Sequence, residues 1–228
     1  DVSKAGSLMT LATAPILAAV KTSTSLYTDY DDVLRKIQAA GNYNEAQMKT
    51  VGEAARQAGA DTRYMASDAA GAFLSLTQAG VALENSLETL PTLLNAAAAG
   101  DMSLTDASNL LISNIYSLGK AFDENDVTAY MDKVVTAADA SNTTVQKMME
   151  GVSKIGAAGR LFAGGDSELL AFLGMLANLN RKGTEGGIDA RNMIISLLAP
   201  TKKAAELMDE LDVTADELDE TLSDIDLS

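Results

Sequence analysis

Several residue types that support catalysis or covalent cross-linking are missing from this chain. Its 228 residues include no cysteine and no histidine, and only three prolines. Without cysteine there are no disulfides and no thiolate ligands for a metal. Without histidine the commonest general base and a preferred ligand of zinc or copper are absent. We therefore expect no enzymatic activity, no metal site and no cofactor.

Basic residues are scarce relative to acidic ones. The chain has 17 lysines and arginines against 32 aspartates and glutamates, a formal net charge of −15. Such a surface repels phosphate backbones, and no basic stripe interleaved with aromatic residues interrupts it. Direct binding of nucleic acid is not expected.

Long apolar runs are also absent. The longest one near the N-terminus extends only from Leu8 to Val20 and contains Pro15. A helix that spans a bilayer needs roughly 20 apolar residues, so membrane contact is not expected of this fragment. The chain begins at Asp1 without an initiator methionine or a signal-peptide pattern. This start suggests a segment excised from a longer protein.

The residues that are abundant favour helices. Apolar residues make up 47% of the chain, with only 4% aromatics. Alanine, leucine and methionine carry most of that share, and they suit close-packed helices better than strands. The sequence therefore predicts an all-α fold with a sizeable core. Five methionines at helical spacing are expected to fill that core: Met131, Met148, Met149, Met175 and Met193.

A tandem repeat runs through the middle of the chain. Gly80, Gly119 and Gly159 lie at nearly equal intervals, each at the end of one apolar stretch and before the next. Glycine at such a position suits a left-handed helix C-cap. A period of about 40 residues is typical of helical hairpins that stack to complete a shared core. We expect about three units, over 67–100, 105–140 and 144–183.

Helices on either side of the repeats complete the predicted organisation. Residues 1–60 are expected to hold a long N-terminal helix and a shorter one over 45–58 that stops at Gly59. The repeats then occupy 61–183, and 184–228 hold closing helices and an acidic tail. Structural turns are predicted at Gly183 and Pro200, and Pro91 is expected to kink or restart its helix. Six residues are expected to cap helix N-termini: Asn44, Ser67, Ser103, Asp123, Thr143 and Asp166.

Motifs that could carry chemistry have simpler interpretations. Asp123 to Asp126 lacks the glycine and glutamate that an EF-hand loop needs, so we interpret it as a capped helix start. Gly164–Gly165 and Gly183–Gly187 lack the strand and lysine of a phosphate loop and are interpreted as turns between helices. Acidic residues available for paired-carboxylate chemistry or metal binding are interpreted as solvated helix faces: Glu84, Glu88, Glu150, Glu168, Asp209, Asp212, Asp216, Asp219 and Glu220.

A run of small residues is the best candidate for a partner-binding surface. It comprises Asn95, Ala96, Ala97, Ala98 and Ala99. Small side chains let another helix approach closely. The same property would serve packing against the next repeat, and both alternatives stay open.

The array resembles the core region shared by tail tape measure proteins of long-tailed bacteriophages. The resemblance covers most of residues 30–213. It is carried by these segments: Ala79-Gly80, Ser86-Leu87 with Leu90-Pro91, Leu94 to Gly100, Asp106 to Ser108, Ala140 to Thr143, Leu176 to Asn178, Gly183 to Gly187 with Ala190 to Asn192, and Leu198 to Lys202.

This resemblance implies a structural protein of the virion, within the phage tail lumen, that is assembled in the bacterial host cytoplasm. It implies a role in tail assembly, length determination and genome delivery. The partners implied are the tail tube protein, tail assembly chaperones and other copies of the chain. Two alternatives stay open. One is a cytoplasmic helical-repeat adaptor, and the other is a membrane-active module in which Leu8 to Val20 meets a bilayer after release from the tail.

Overall fold

The structure, a computed structural model, describes residues 29–198, and every regular element in that range is helical. The predicted all-α class is therefore confirmed. The chain divides after Gly80 into two compact units. This boundary falls inside the first predicted repeat, 67–100. The segments 1–60, 61–183 and 184–228 stay a prediction.

The described part of the first unit contains three helices. They are α1 (29–41), α2 (Glu45–Asp61) and α3 (Ala66–Gln78). The Tyr30 hydroxyl donates to the Gly52 carbonyl at 2.9 Å and so ties α1 to α2. The predicted stop at Gly59 is wrong, because α2 continues to Asp61. A Cβ at Gly59 would lie 2.7 Å from the backbone nitrogen of Ala66, so this glycine permits close approach of α3.

The second unit follows as a series of helices of similar length. These are α4 (Leu83–Ala99), α5 (Leu104–Ser117), α6 (Glu124–Asp139), α7 (Val145–Ile155), a 3-10 helix (Gly156–Leu161), α8 (Gly165–Asn178) and α9 (Gly183–Leu198).

Alternate helices of the second unit are neighbours. α4 contacts α6, which contacts α8, while α5 contacts α7, which contacts α9. Asn85 Nδ2 donates to the Phe122 carbonyl at 2.7 Å, and the hydroxyls of Thr92 and Thr128 lie 3.0 Å apart. Because both contacts advance in the same direction along the chain, α4 and α6 run parallel. The unit thus has two helical layers, α4–α6–α8 and α5–α7–α9.

The described core between these layers is largely apolar but includes the buried amide of Asn114. Asn114 of α5 is fully buried, and its Nδ2 donates to the Tyr130 hydroxyl at 2.9 Å and to the Met149 carbonyl at 3.0 Å. The amide therefore joins α5 to α6 and α7. These apolar residues of the second unit have almost no exposure and belong to its core: Leu93, Leu104, Leu111, Ile115, Val127, Val134, Met149, Val152, Leu169 and Leu170.

Left-handed residues end several helices. Gly80 and Gly119 follow α3 and α5 with φ of 79° and 75°. Asn42, Asp101 and Asn180 take the same conformation after α1, α4 and α8, with φ of 51°, 49° and 66°. Four of these five residues belong to Schellman motifs, in which the next amide reaches back to a carbonyl of the last turn, as Lys120 does to the Ile115 carbonyl at 3.0 Å.

Gly159 does not end a helix in the way the repeat suggested. α7 stops at Ile155, and the left-handed residue is Gly156, with φ of 60°. Gly159 lies inside the 3-10 helix, where a Cβ would come within 3.0 Å of Leu169 and 3.1 Å of Leu118. Its small size therefore serves packing.

Two further expectations need correction. α4 is continuous from Leu83 through Pro91 to Ala99, so a restart at Pro91 is wrong, while a kink there stays a prediction. The proline is exposed on the helix. Met175 and Met193 are not core residues, since they are 48% and 43% exposed. Their spacing fits a helix, but both side chains stay largely open to solvent.

Three of the six predicted N-caps are confirmed. Side chains of three predicted caps accept a backbone N–H from the first turn of the helix that follows: Asn44, Ser103 and Asp123. Thr144 takes the role that was expected of Thr143. Ser67 and Asp166 lie within the first turns of α3 and α8, so both assignments are wrong.

Candidate functional site

The small-residue run expected to bind a partner lies at the C-terminal end of α4 and is divided between two environments. Ala96 and Ala97 are only 3% and 0% exposed, so they pack inside the second unit. Asn95, Ala98 and Ala99 are exposed. Two residues of the run therefore serve internal packing, and three are accessible to a partner. The partner-binding role of this segment stays a prediction.

The predicted turns are spread along the fold and do not form a site. Gly80 and Gly119 lie in helix-ending turns. Gly183 begins α9 with φ of 59°, and a Cβ there would lie 2.9 Å from the Glu150 carboxylate. Pro200 lies outside the described residues.

An open groove lies between α6 and α8 in the second unit. Its volume is about 450 Å³, which is within the range of ligand-binding clefts. Its floor and walls carry small side chains, and its rim is mostly polar. The lining residues are Asp132, Lys133, Thr136, Ala137, Ala140, Ser141, Ser167, Leu170, Ala171, Gly174, Met175 and Asn178.

Contacts between α6 and α8 hold the groove at both ends. At one end Lys133 Nζ lies 3.6 Å from Asp166 Oδ2. At the other end the Asn142 amide donates to Asn178 Oδ1 at 2.8 Å. These contacts show that α6 and α8 run parallel, like α4 and α6. Near the second end, a Cβ at Gly174 would lie 3.0 Å from the Ser141 hydroxyl, so glycine permits the close approach there.

Asp166 anchors the first end of the groove electrostatically. Its side chain is only 10% exposed, and it pairs with Lys120 at 2.8 Å as well as with Lys133. The ion pair therefore joins the segment before α6, α6 itself and the first turn of α8. A partly buried carboxylate that is shared by two lysines is better shielded from solvent than a surface pair.

Acidic character prevails at the opposite end of the groove. Asp139 is exposed in the last turn of α6, and neither α6 nor α8 has a basic residue in its last turn. The C-termini of two parallel helices lie side by side here, and each carries the partial negative charge of its helix dipole. The arrangement favours a positive group from outside.

Residues considered for catalysis or metal binding are not brought together. Glu84 and Glu88 are exposed on α4, whereas Glu150 on α7 accepts a hydrogen bond from Gln146 at 2.9 Å. Glu168 accepts the Gly164 amide at 2.7 Å, and Asp123 caps α6. Across residues 29–198, no group of three or more acidic side chains is arranged to hold a metal ion. The acidic residues after Asp209 lie outside the described range.

Burial shifts one ionisable group strongly. The Tyr130 hydroxyl is buried in the core, and removal from water raises its pKa well above the usual range, against the smaller opposing effect of its hydrogen bond from Asn114. This tyrosine stays protonated at any physiological pH. Its role is to hold the core together.

Sequence reasoning did not find the groove. The signal available was a set of small residues on two alternate helices, with Ala137 and Ala140 at the end of α6 and Ala171 and Gly174 on α8. Exposed Met175 was expected in the core. Within the described range no helix has the length and apolarity needed to cross a membrane, and the apolar stretch Leu8 to Val20 lies outside that range.

Comparison with known proteins relates the chain to phage tails. The family described as phage-related minor tail protein matches residues 52–227. The tape measure protein of Pneumococcus phage Dp-1 is 22% identical over 207 residues, which cover 91% of this chain and 18% of that protein. The chain thus spans about a fifth of that relative's length. No solved structure matches. The resemblance inferred from the sequence is confirmed.

Proposed function

Because the chain belongs to the phage-related minor tail protein family, we propose that it is a folded interaction region of a tape measure protein. In this proposal it acts in tail assembly, length determination and genome delivery through contacts between helices. The observation that carries the proposal is the similarity to a tape measure protein over 91% of the chain. The family points to a structural, non-enzymatic role in the tail.

The architecture of the second unit supports an interaction role. α4, α6 and α8 begin at Leu83, Glu124 and Gly165, which are equally spaced along the chain. With the two layers of alternate helices, this spacing fits three stacked hairpins, α4–α5, α6–α7 and α8–α9. Such arrays present long helical surfaces, and we propose that the tail tube protein, tail assembly chaperones or other copies of the chain bind there.

The charge supports a location beside DNA in the tail lumen. At −15 the chain repels phosphate, so DNA passes without adhering to it. We propose that the tail is assembled in the host cytoplasm before DNA passes through it. Binding of the chain to duplex DNA at low salt would contradict this part.

Mass spectrometry of purified tail particles tests the tail role. Particles from induced source cells are digested, and peptides from residues 64–133 are quantified relative to the tube protein. We expect a few copies per tail. The control is the same fraction from cells that lack the tube protein, where these peptides should not sediment. Absence from particles, with abundant peptide in the cytosol, would favour the cytoplasmic adaptor instead.

A further inference from the structure

We propose that the groove between α6 and α8 docks a short amphipathic helix of a partner protein, with bulky apolar side chains in the groove and lysine or arginine at one end. The inference rests on the proposed function, since it names the surface through which the tail contacts are made.

The shape of the groove fits side chains presented by a helix. Its walls carry the small side chains of Ala137 and Ala140 on one side and Ala171 on the other. Small residues leave room for leucine-sized or phenylalanine-sized groups that arrive at every third or fourth position of a docking helix. The described residues contain no strand, and hence no sheet edge that could add an extended peptide.

The dimensions limit the occupant to a short segment. The lining extends from Asp132 on α6 to Ser141 just beyond it, and from Ser167 to Asn178 on α8, which corresponds to about 15 Å at the usual helical rise per residue. This length accommodates about three helical turns. The end contacts from Lys133 to Asp166 and from Asn142 to Asn178 fix the spacing of the walls before any partner arrives.

An adaptable apolar edge lies beside the groove. Met175 lines it and is half exposed, and Leu179, one turn further along the chain, is 74% exposed. Methionine is flexible and adjusts to partners of different shape. Exposed apolar side chains next to a cleft are typical of binding surfaces.

Charge selects a basic occupant and sets its orientation. At the Ala140 and Asn178 end, Asp139 and two helix C-termini create negative potential. Neither last turn has a basic residue, and Arg181, just beyond α8, is already paired with Asp189 and Glu185. At the other end, Lys133 and Lys120 already pair with Asp166. The lysine or arginine residues of the docking helix therefore lie near Asp139.

A synthetic probe tests the groove without knowledge of the partner. The probe is a fluorescein-labelled helical peptide of about five turns, with leucine along one face and lysines at one end, and its binding to the full chain is followed by fluorescence anisotropy. We expect saturable binding. A version with glutamate in place of lysine should bind at least ten times more weakly. Equal binding of the two peptides would overturn the proposal.

Two matched pairs of variants locate the binding. Ala140→Phe fills the groove and should weaken the lysine probe at least fivefold, whereas Ala129→Phe changes an exposed alanine of α6 outside the lining and should not. Asp139→Lys should weaken it about fivefold, as expected for loss of an exposed charge contact. Glu124→Lys makes the same charge change at the other end of α6 and should have no effect. No difference within either pair would overturn the proposal.

A fluorescent reporter covers the case in which a variant fails to fold. The chain has no tryptophan, so Met175→Trp gives a single emission signal beside the groove. The probe should shift this emission to the blue and leave Ala129→Trp unchanged. A shift in both reporters, or in neither, would contradict docking at this site.

Two other outcomes separate the possible explanations. If the unlabelled chain self-associates in sedimentation and Ala140→Phe abolishes this while Ala129→Phe does not, the occupant is a second copy and the partner helix is wrong. If the probe does not bind although the chain is present in tails, the docking site fails and the tail role survives. Probe binding with absence from tails would reject the tail role alone.

Discussion

Gly187 in the first turns of α9 lies against the backbone carbonyl of Gly151 in α7, with no room for a Cβ between them. The hypothetical Cβ of Gly187 would also lie 2.8 Å from the Cβ of Lys154. α7 and α9 have the most extensive contact of any helix pair in the second unit. Glycine therefore determines how closely these helices pack, and Gly183–Gly187 act in packing rather than as a simple turn.

Gly187→Ala should destabilise the chain. Alanine normally stabilises a helix interior by about 0.5–1 kcal/mol relative to glycine, but here the added methyl forces α7 and α9 apart. We expect a net loss of about 1–3 kcal/mol, typical of overpacked sites, measured by urea unfolding. Gly52→Ala is the control, since its Cβ would meet only ordinary contacts of 3.4 Å and more. Equal effects of the two changes would contradict the packing role.

The buried amide of Asn114 should be coupled to Tyr130. Asn114→Ala removes the donor to the buried Tyr130 hydroxyl, whereas the Met149 carbonyl lies inside α7 and keeps its helical hydrogen bond. We expect a loss of about 1–3 kcal/mol for the buried hydroxyl left without its donor. Tyr130→Phe should cost less, about 1 kcal/mol, because Asn114 keeps its bond to Met149.

A double-mutant cycle measures this coupling directly. The interaction free energy from the two single variants and their combination should be at least about 0.5 kcal/mol, since the side chains touch. Thr136→Ala combined with Tyr130→Phe is a comparison with an exposed residue of the same helix. Additivity in both cycles would mean that the hydrogen bond contributes nothing.

Alkaline pH should destabilise the chain through Tyr130. Burial raises the pKa of its hydroxyl in the folded state, while the unfolded side chain ionises near its ordinary value of about 10. Its contribution to stability is thus complete below pH of about 10 and falls as pH rises above that value, because only the unfolded state releases the proton. The slope reaches at most about 1.4 kcal/mol per pH unit.

Urea unfolding between pH 8 and 11 measures the effect. In Tyr130→Phe, the free energy of unfolding should fall less steeply with rising pH than in the wild-type chain. Tyr43→Phe changes a side chain with greater exposure and should retain the wild-type slope. Identical slopes in the wild-type chain and Tyr130→Phe would show that another group controls alkaline unfolding.

Glycine spacing revealed helix ends only where glycine happened to supply the left-handed residue. Gly80 and Gly119 do so, but Asn42, Asp101 and Asn180 take the same conformation with side chains that tolerate it. The interval between the glycines is nevertheless close to the one at which α4, α6 and α8 begin. Gly159 was misplaced, because packing against Leu118 and Leu169 also demands a small residue.

The groove could not be predicted because it depends on which helices are neighbours. Ala137 and Gly174 are far apart in sequence. The spacing of residues along the sequence does not show which faces of α6 and α8 meet. Local capping chemistry was accessible, as Asn44 with Gln47 shows. The exposure of Met175 was not accessible, because spacing alone does not show whether two neighbouring helices pack tightly or leave a groove between them.

Asp166→Asn should loosen the first end of the groove. The substitution leaves Lys120 and Lys133 as neighbouring positive charges without their shared carboxylate. Because Asp166 is largely shielded and the lysines are partly exposed, we expect a loss of about 1–2 kcal/mol, below that for a fully buried pair. Asp31→Asn removes an exposed pair with Arg35 on α1 and should change stability by less than about 0.5 kcal/mol. When unfolding is measured at high rather than low salt, the free energies of unfolding of Asp166→Asn and the wild-type chain should differ less. Salt screens partly exposed charges. If the two aspartates prove equivalent, the Asp166 ion pairs do not hold α6 against α8, and the walls of the groove depend on Gly174 and the bond from Asn142 to Asn178.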